Sequence, residues 1–113
     1  MKHVIAYIKP HKLSAVILAL HEVEGLTGMS TLDVQGFGRG REEQGQSSIE
    51  AQLYSLIPHV KIEIFCADGL LEEIISTIQS RAHTGLLGDG KIYVTNAYDA
   101  IRISSGERGE DAV

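Results

Sequence analysis

The stretch from Val60 to Val94, VKIEIFCADGLLEEIISTIQSRAHTGLLGDGKIYV, decides the fold. It opens with an alternation of apolar and polar residues as far as Cys66, which predicts a strand with one buried face. Apolar residues then recur at helical spacing and predict an amphipathic helix, at Leu71, Ile74, Ile75 and Ile78. A glycine-rich turn leads into an apolar run from Lys91 to Val94, which predicts another strand. The order strand, helix, strand is that of a βαβ unit.

The residues before this stretch follow the same order. A short apolar run from Val4 to Ile8 predicts a buried strand, and Pro10 is suited to the first turn of a helix. The helix itself is indicated by apolar residues on one face, at Leu13, Val16, Ile17 and Leu20. Gly25 is a candidate for its C-terminal cap, and the residues from Gly28 to Arg39 alternate as a second strand. The two halves together predict the order βαββαβ.

This element order predicts an α+β fold of the ferredoxin-like kind, an antiparallel four-stranded sheet with a long loop between its second and third strands. Right-handed crossovers put both helices on one face of the sheet. The strands nevertheless carry apolar residues on both faces, as at Val4 with Ile5 and at Ile64 with Phe65. Because so much exposed apolar area is unusual in a monomer, we expect the chain to associate with copies of itself in closed symmetry.

Weaker local signals complete the predicted fold. Asp68 is suited to cap the second helix, and the apolar setting of Cys66 favours a packed thiol. Alternation from Ile101 to Ser104 indicates a short terminal strand, and we expect the polar tail, residues 105–113, to be frayed. Residues 40–57 are unusually long and polar for a connection. We expect a flexible loop there that contacts a partner, with a mobile hairpin tip as the alternative.

Composition limits the possible functions. The 113 residues suit a single domain, residues 1–113, and the net charge of -5 argues against a nucleic-acid partner, because no basic excess is available for phosphates. No apolar run reaches the roughly 20 residues of a membrane span, so we expect no direct membrane insertion. The first residues lack the pattern of a signal peptide, and the single cysteine cannot form an internal disulfide. These features predict a cytoplasmic protein.

The residues from His83 to Lys91 are the strongest candidate for a binding site. Three of the twelve glycines fall here, and glycines leave backbone N–H groups uncovered by side chains. Lys91 supplies a cation for a phosphate. The stretch is not a Walker loop, because Ile92 stands where that motif needs serine or threonine. On spacing alone, an anion cradle and a plain glycine-rich connection both stay open.

Several motifs resemble those of the PII signal-transduction family, also called nitrogen regulatory protein P-II, and the resemblance covers essentially the whole chain. The most specific motifs are Ile8–Leu13 (IKPHKL), Gly36–Arg39 (GFGR), Lys61–Ile64 (KIEI), Thr84–Ile92 (TGLLGDGKI) and Ile101–Glu107 (IRISSGE). The resemblance implies a homotrimer that binds an adenine nucleotide in clefts between subunits, with ATP or ADP as the expected effector and AMP as a further candidate. It also implies that the long loop engages a target protein, such as a membrane transporter, an enzyme or a regulator. It gives no firm indication of a metal ion.

The resemblance also assigns a nucleotide site. Its residues are Ser30, Gly36, Gly38, Arg39, Glu63, Gly88, Asp89, Gly90, Lys91 and Arg102. Gly36, Gly38 and Arg39 would line the cleft below the loop, and residues 88–91 would hold the phosphates. Ser30 and Glu63 would contact adenine and neighbouring groups, and Arg102 would reach the phosphates from the adjacent subunit. A monomer would therefore hold half a site.

The sequence departs from the family pattern at several functional positions. Gln52 stands where many members carry the loop tyrosine that accepts uridylyl or adenylyl groups. Gly40 replaces a glutamine that ligates the nucleotide's Mg²⁺ and helps to bind 2-oxoglutarate, and His59 replaces a lysine that pairs with a 2-oxoglutarate carboxylate. Leu86 replaces a commonly polar position, and Ser104 replaces a second phosphate-reaching arginine. We therefore expect no uridylylation and no 2-oxoglutarate sensing.

Two other functions compete with nucleotide sensing. Three segments resemble the subgroup often encoded beside heavy-metal efflux pumps: residues 38–41 (GRGR), 82–85 (AHTG) and 105–110 (SGERGE). A metal-binding or metal-tolerance trimer is therefore the alternative. The five histidines are scattered, and the pair of interest near the cleft is His59 with His83. An enzyme acting on nucleotides would need a positioned nucleophile and base. The pattern offers only His83 with Asp89, so we expect no catalysis.

Overall fold

Strands and helices follow one another in the order βαββαβ that the sequence predicts. The computed structural model describes residues 1–38 and 56–113. Its strands are β1 Lys2–Ile8, β2 Ser30–Gly36, β3 Ile57–Cys66 and β4 Lys91–Asn96. Its α-helices are α1 Leu13–His21 and α2 Leu71–Ala82, and short 3-10 helices span Pro10–Lys12, Asp68–Leu70 and Gly109–Ala112. Within the described residues, no helix is long and apolar enough to cross a membrane.

The strands form one antiparallel sheet in the order β2-β3-β1-β4. Because β1 lies between β3 and β4, Ile5 faces Glu63 on one side and Tyr93 on the other. Glu63 in turn faces Ser30 of β2. This topology confirms the predicted α+β, ferredoxin-like fold with the order βαββαβ.

One face of the sheet packs against both helices and forms the core. β1 buries Val4, Ala6 and Ile8, because successive side chains of a strand point to opposite faces. The helices contribute the apolar stripes that their spacing predicts, and their buried residues are Val16, Leu20, Ile74, Ile78 and Ala82. Cys66 belongs to this core, where burial raises the pKa of its thiol. The predicted packed cysteine is therefore confirmed.

The opposite face of the sheet is covered by neither α1 nor α2. Leu32, Tyr93 and Phe65 on this face are 62%, 51% and 44% exposed. Aromatic contacts run across it: the ring of His3 stacks on Phe65, and Tyr7 meets Tyr93 edge-on. The open apolar face predicted from the strand residues is thus present, and its rings are held in place by neighbouring strands.

The ends of the helices differ from the prediction. Asp68 does not cap α2, which is preceded by Leu70 and has no side-chain cap. The Asp68 carboxylate lies 2.9 Å from the N-terminal ammonium of Met1, which holds its pKa below the usual range. A charged donor is a stronger partner for a carboxylate than a backbone amide. Gly25 likewise lies beyond the cap of α1, a position that Glu22 takes.

The second strand is shorter than predicted. β2 pairs with β3 only from Ser30 to Gly36, where the ladder ends opposite Ile57. Phe37 and Gly38 follow outside the ladder, and the predicted site residue Arg39 lies outside the described residues. The last residue of the predicted loop 40–57, Ile57, is the first residue of β3. Residues 39–55 lie outside the described part of the chain.

The C-terminal segment also differs from the prediction. In place of a terminal strand there is a single bridge between Ile101 and Arg108. The chain reverses at Gly106, whose φ is +76° and whose N–H donates to the Arg102 carbonyl at 2.7 Å. The Arg108 guanidinium pairs with Asp99 and holds the pKa of that carboxyl below its usual range. These contacts tie together a tail that we expected to fray.

Candidate functional site

A loop of residues 83–90, here called the glycine loop, joins the end of α2 to the start of β4. Gly85, Gly88 and Gly90 within it have φ values of +80°, +83° and +99°. These lie in the left-handed region, where a side chain is strained and glycine is not. The path of the loop therefore depends on glycine at these positions.

Gly90 has an additional role, which is close contact with β1. A Cβ atom at this position would lie 1.7 Å from the carbonyl oxygen of Tyr7. No side chain fits in that space, so only glycine allows the loop to lie directly against the end of β1. This contact sets where Lys91 begins the next strand.

Asp89 lies at the centre of the glycine loop. Its Oδ2 accepts the backbone N–H of Thr84 at 2.8 Å, and its Oδ1 accepts the Thr84 hydroxyl. Lys9 Nζ lies 3.3 Å from Oδ1, and His83 Nδ1 lies 3.4 Å from Oδ2. The two Thr84 donors, and then Lys9, hold the pKa of Asp89 well below its usual range. The carboxylate therefore stays charged, and its contacts are with Thr84 of the same loop and with Lys9.

Lys91 and Lys9 have different environments. Lys9 is mostly buried and is paired with Asp89 and with the Thr84 hydroxyl, which lies 3.1 Å from Nζ. Lys91 is exposed at the first position of β4, and it has no side-chain partner among residues 1–38 and 56–113. The cation available to a ligand at the glycine loop is therefore Lys91 rather than Lys9.

His59 connects the start of β3 to the glycine loop. Its Nε2 lies 3.1 Å from the Gly88 carbonyl oxygen, and its Nδ1 lies 3.2 Å from the Ile57 carbonyl oxygen. Because a neutral imidazole has one N–H, the ring donates to one of these two oxygens at a time. His83, the other histidine of the suggested pair, contacts Asp89 instead. Within the described residues, no group of three His, Cys, Asp or Glu side chains is arranged to hold a metal ion.

The two residues expected near adenine are brought together on the open face of the sheet. Ser30 and Glu63 are direct cross-strand partners. Oε1 of Glu63 lies 2.7 Å from His3 Nε2, within hydrogen-bond distance. Its other oxygen, Oε2, lies 4.0 Å from Lys61 Nζ. The orientation of the carboxylate is therefore fixed by this chain before any ligand arrives.

The remaining predicted site residues fall into separate places. Gly36 ends β2 opposite Ile57, and Gly38 follows it, so both lie near the base of the long loop. Arg102 lies in the C-terminal turn, where its guanidinium donates to the Asp111 carbonyl oxygen at 3.1 Å. No contact of Arg102 with the glycine loop occurs within the described part of this one chain.

Sequence reasoning missed two residues that shape the glycine loop. Lys9 belongs to the IKPHKL motif, but no role at the loop was assigned to it, because its contact with Asp89 joins two positions far apart in the chain. Thr84 gave a signal that could have been used: threonine and aspartate side chains often close turns on nearby backbone groups. Both residues stabilise the loop through contacts with Asp89.

The fold and the loop together define a ferredoxin-like protein with a glycine-rich connection between α2 and β4. The family model described as Nitrogen regulatory protein P-II matches residues 1–107. Relatives of that name come from Azospirillum brasilense (43% identical), Rhodospirillum rubrum (44%) and Bradyrhizobium diazoefficiens (44%), and each match spans the whole of both chains. The chain belongs to the nitrogen regulatory protein P-II family, which confirms the resemblance found in the motifs. The family supports a signalling regulator, and the comparisons lend no support to the metal-tolerance alternative.

Proposed function

We propose that this protein is a non-catalytic regulator that binds ATP or ADP in clefts between the subunits of a homotrimer. Adenylate binding would control how residues 40–57 engage a target protein in the cytoplasm. The observation that carries the proposal is the glycine loop of a P-II chain, fastened from inside by Asp89 and flanked by the exposed Lys91. Backbone N–H groups and one uncommitted ammonium are what a nucleotide phosphate requires.

The chemistry of the loop supports binding more than catalysis. His83 and Asp89, the pair that would have to act as acid and base, are 3.4 Å apart, but Asp89 is already bonded to Thr84 and Lys9. His83 is 72% exposed, so water reaches it freely. A catalytic base is normally oriented toward a reacting group and shielded from competing partners.

Calorimetric titration of the wild-type protein with ATP, ADP and AMP tests the proposal directly. We expect saturable adenylate binding with a stoichiometry of one nucleotide per chain, and no release of phosphate during prolonged incubation. Parallel titration with divalent metal ions alone tests the metal-binding function. Absence of adenylate binding, or turnover of the nucleotide, would contradict the proposed function.

The first prediction concerns assembly. Light scattering at micromolar concentration should give a mass three times the 12.3 kDa of the chain, because the open sheet face exposes Leu32, Phe65 and Tyr93. Leu32→Asp should dissociate the trimer by placing a charge on that face. Leu18→Asp is the control, since Leu18 is 69% exposed on α1, away from the sheet, and its change should leave the mass unaltered. A monomeric wild type would refute the trimer.

The second prediction concerns 2-oxoglutarate. Gly40 offers no side-chain oxygen for Mg²⁺, and His59 replaces the family lysine with a ring whose nitrogens lie 3.1 and 3.2 Å from the carbonyl oxygens of Gly88 and Ile57. Each missing charge-assisted contact is worth about 1.5–3 kcal/mol. We therefore expect no 2-oxoglutarate binding below millimolar concentrations by the protein loaded with ATP and Mg²⁺. The double variant Gly40→Gln with His59→Lys should gain binding. Saturable binding by the wild type at tens of micromolar, on the order of −6 kcal/mol, would show that the two positions are not decisive.

A further inference from the structure

We propose that Asp89 is a positioning residue: its carboxylate fixes the glycine loop in the form that receives phosphate, and it does not contact the nucleotide itself. The inference rests on the proposed function and revises the role that family resemblance gives to this residue. A site assigned from the motif alone treats Asp89 as a ligand contact beside Gly88, Gly90 and Lys91.

Most of the acceptor capacity of the Asp89 carboxylate is already used. An ionised carboxylate has about four lone-pair directions. Oδ2 accepts the backbone N–H of Thr84, and Oδ1 accepts the Thr84 hydroxyl and lies 3.3 Å from the Lys9 ammonium. The exposed His83 ring lies 3.4 Å from Oδ2 and pairs with it only when protonated. A nucleotide hydroxyl or amino group that sought this carboxylate would compete with these partners.

The Thr84 hydroxyl connects Asp89 with other parts of the loop through further hydrogen bonds. While it donates to Asp89, its oxygen accepts the backbone N–H of Leu86 at 3.1 Å and the Lys9 ammonium at 3.1 Å. Asp89 therefore closes the first part of the loop, residues 84–86, onto the last part, residues 89–90. Lys9, which follows β1, ties both parts to the sheet.

This arrangement also explains why a negative charge is tolerated next to a phosphate site. Coulomb repulsion between Asp89 and a phosphate opposes binding, and removal of Asp89 would free the Lys9 ammonium to attract the ligand. By charge alone, Asp89→Asn should therefore tighten nucleotide binding. A positioning role predicts the opposite sign, because an amide replaces one acceptor oxygen with a donor that faces Thr84 or Lys9.

The test compares Asp89→Asn with the wild type in ATP titrations at constant ionic strength. We expect the variant to bind ATP about tenfold or more weakly, the scale of a lost charge-assisted contact. Thr84→Val should weaken binding in the same direction with no change of charge, and Thr84→Ser, which keeps the hydroxyl, should retain more affinity than Thr84→Val. Asp68→Asn is the matched control, since it removes the same charge at the opposite end of α2. Unchanged or tighter binding by Asp89→Asn overturns the proposal.

Amide hydrogen exchange in the nucleotide-free protein gives a second measurement that does not depend on affinity. The Leu86 and Thr84 N–H groups should exchange faster in Asp89→Asn and Thr84→Val than in the wild type, because their acceptors belong to this network. Equal exchange would overturn the positioning role even if affinity falls. Failure of the proposed function is seen in the wild type alone, as absence of adenylate binding, and is therefore distinguishable from failure of the role of Asp89.

Discussion

Replacement of Gly90 by alanine is expected to destabilise the protein by about 3 kcal/mol or more and to abolish nucleotide binding. Two costs combine: a left-handed φ of +99°, which costs a non-glycine residue about 1–2 kcal/mol, and overpacking, which costs about 1–3 kcal/mol. The overpacking arises because the new Cβ would lie 1.7 Å from the Tyr7 carbonyl oxygen, a backbone atom that cannot move without shifting β1. The loop would have to leave the sheet, and Lys91 would move with it.

Gly85→Ala is the control that separates these two costs. Gly85 has a similar φ of +80°, but no atom lies within 4 Å of its added Cβ. The strain of the left-handed conformation alone remains, about 1–2 kcal/mol. Chemical denaturation of both variants at one protein concentration measures the difference, since assembly makes stability depend on concentration. Equal losses in the two variants would mean that the contact of Gly90 with β1 does not constrain the loop.

Removal of either proposed phosphate-binding cation is expected to weaken ATP binding at least about tenfold, the scale of a lost charge-assisted contact. Lys91→Ala removes the exposed ammonium beside the glycine loop. Arg102→Ala removes a guanidinium in the C-terminal turn, where its side chain makes one exposed hydrogen bond to the Asp111 carbonyl oxygen. Because so little packing depends on it, the unfolding free energy of Arg102→Ala should stay within about 0.5 kcal/mol of the wild type. Arg81→Ala, on an exposed position of α2, is a charge-matched control.

Mixing of the two variants shows whether a cleft is shared between subunits. If Lys91 comes from one subunit and Arg102 from its neighbour, each mixed trimer contains one cleft that has both residues. After unfolding and refolding an equal mixture, about one quarter of all clefts should regain wild-type affinity, given random assembly of a threefold ring. A cleft built within one chain would regain none, because every chain lacks one of the two cations. Recovery of no tight sites would therefore exclude the shared site.

Much of the fold could be predicted because its signals are local. Alternation along β1 and β3 and the apolar stripes of α1 and α2 reflect which face of each element is buried, and a period can be read from neighbouring residues. Element ends were predicted less well. Aspartate is a common N-cap residue, but the Asp68 carboxylate pairs with the N-terminal ammonium of Met1, which is distant in sequence.

The candidate site divides in the same way. The glycine-rich motif from Thr84 to Lys91 located the loop, and the motif match assigned Ser30 and Glu63, which pair across β2 and β3. The structure of one chain does not connect Arg102 or Arg39 with the glycine loop. Arg102 lies in the C-terminal turn, and Arg39 lies outside the described residues.

The sequence by itself determined the order of strands and helices, the family, and the chemical types available at the glycine loop. Only the tertiary structure decided what those residues do. It pairs Lys9 with Asp89, leaves Lys91 exposed, and places Gly90 against the Tyr7 carbonyl oxygen. The reason is physical: periodicity and turn chemistry act between neighbouring residues, whereas ion pairs and steric contacts depend on distances that exist only once the strands have paired.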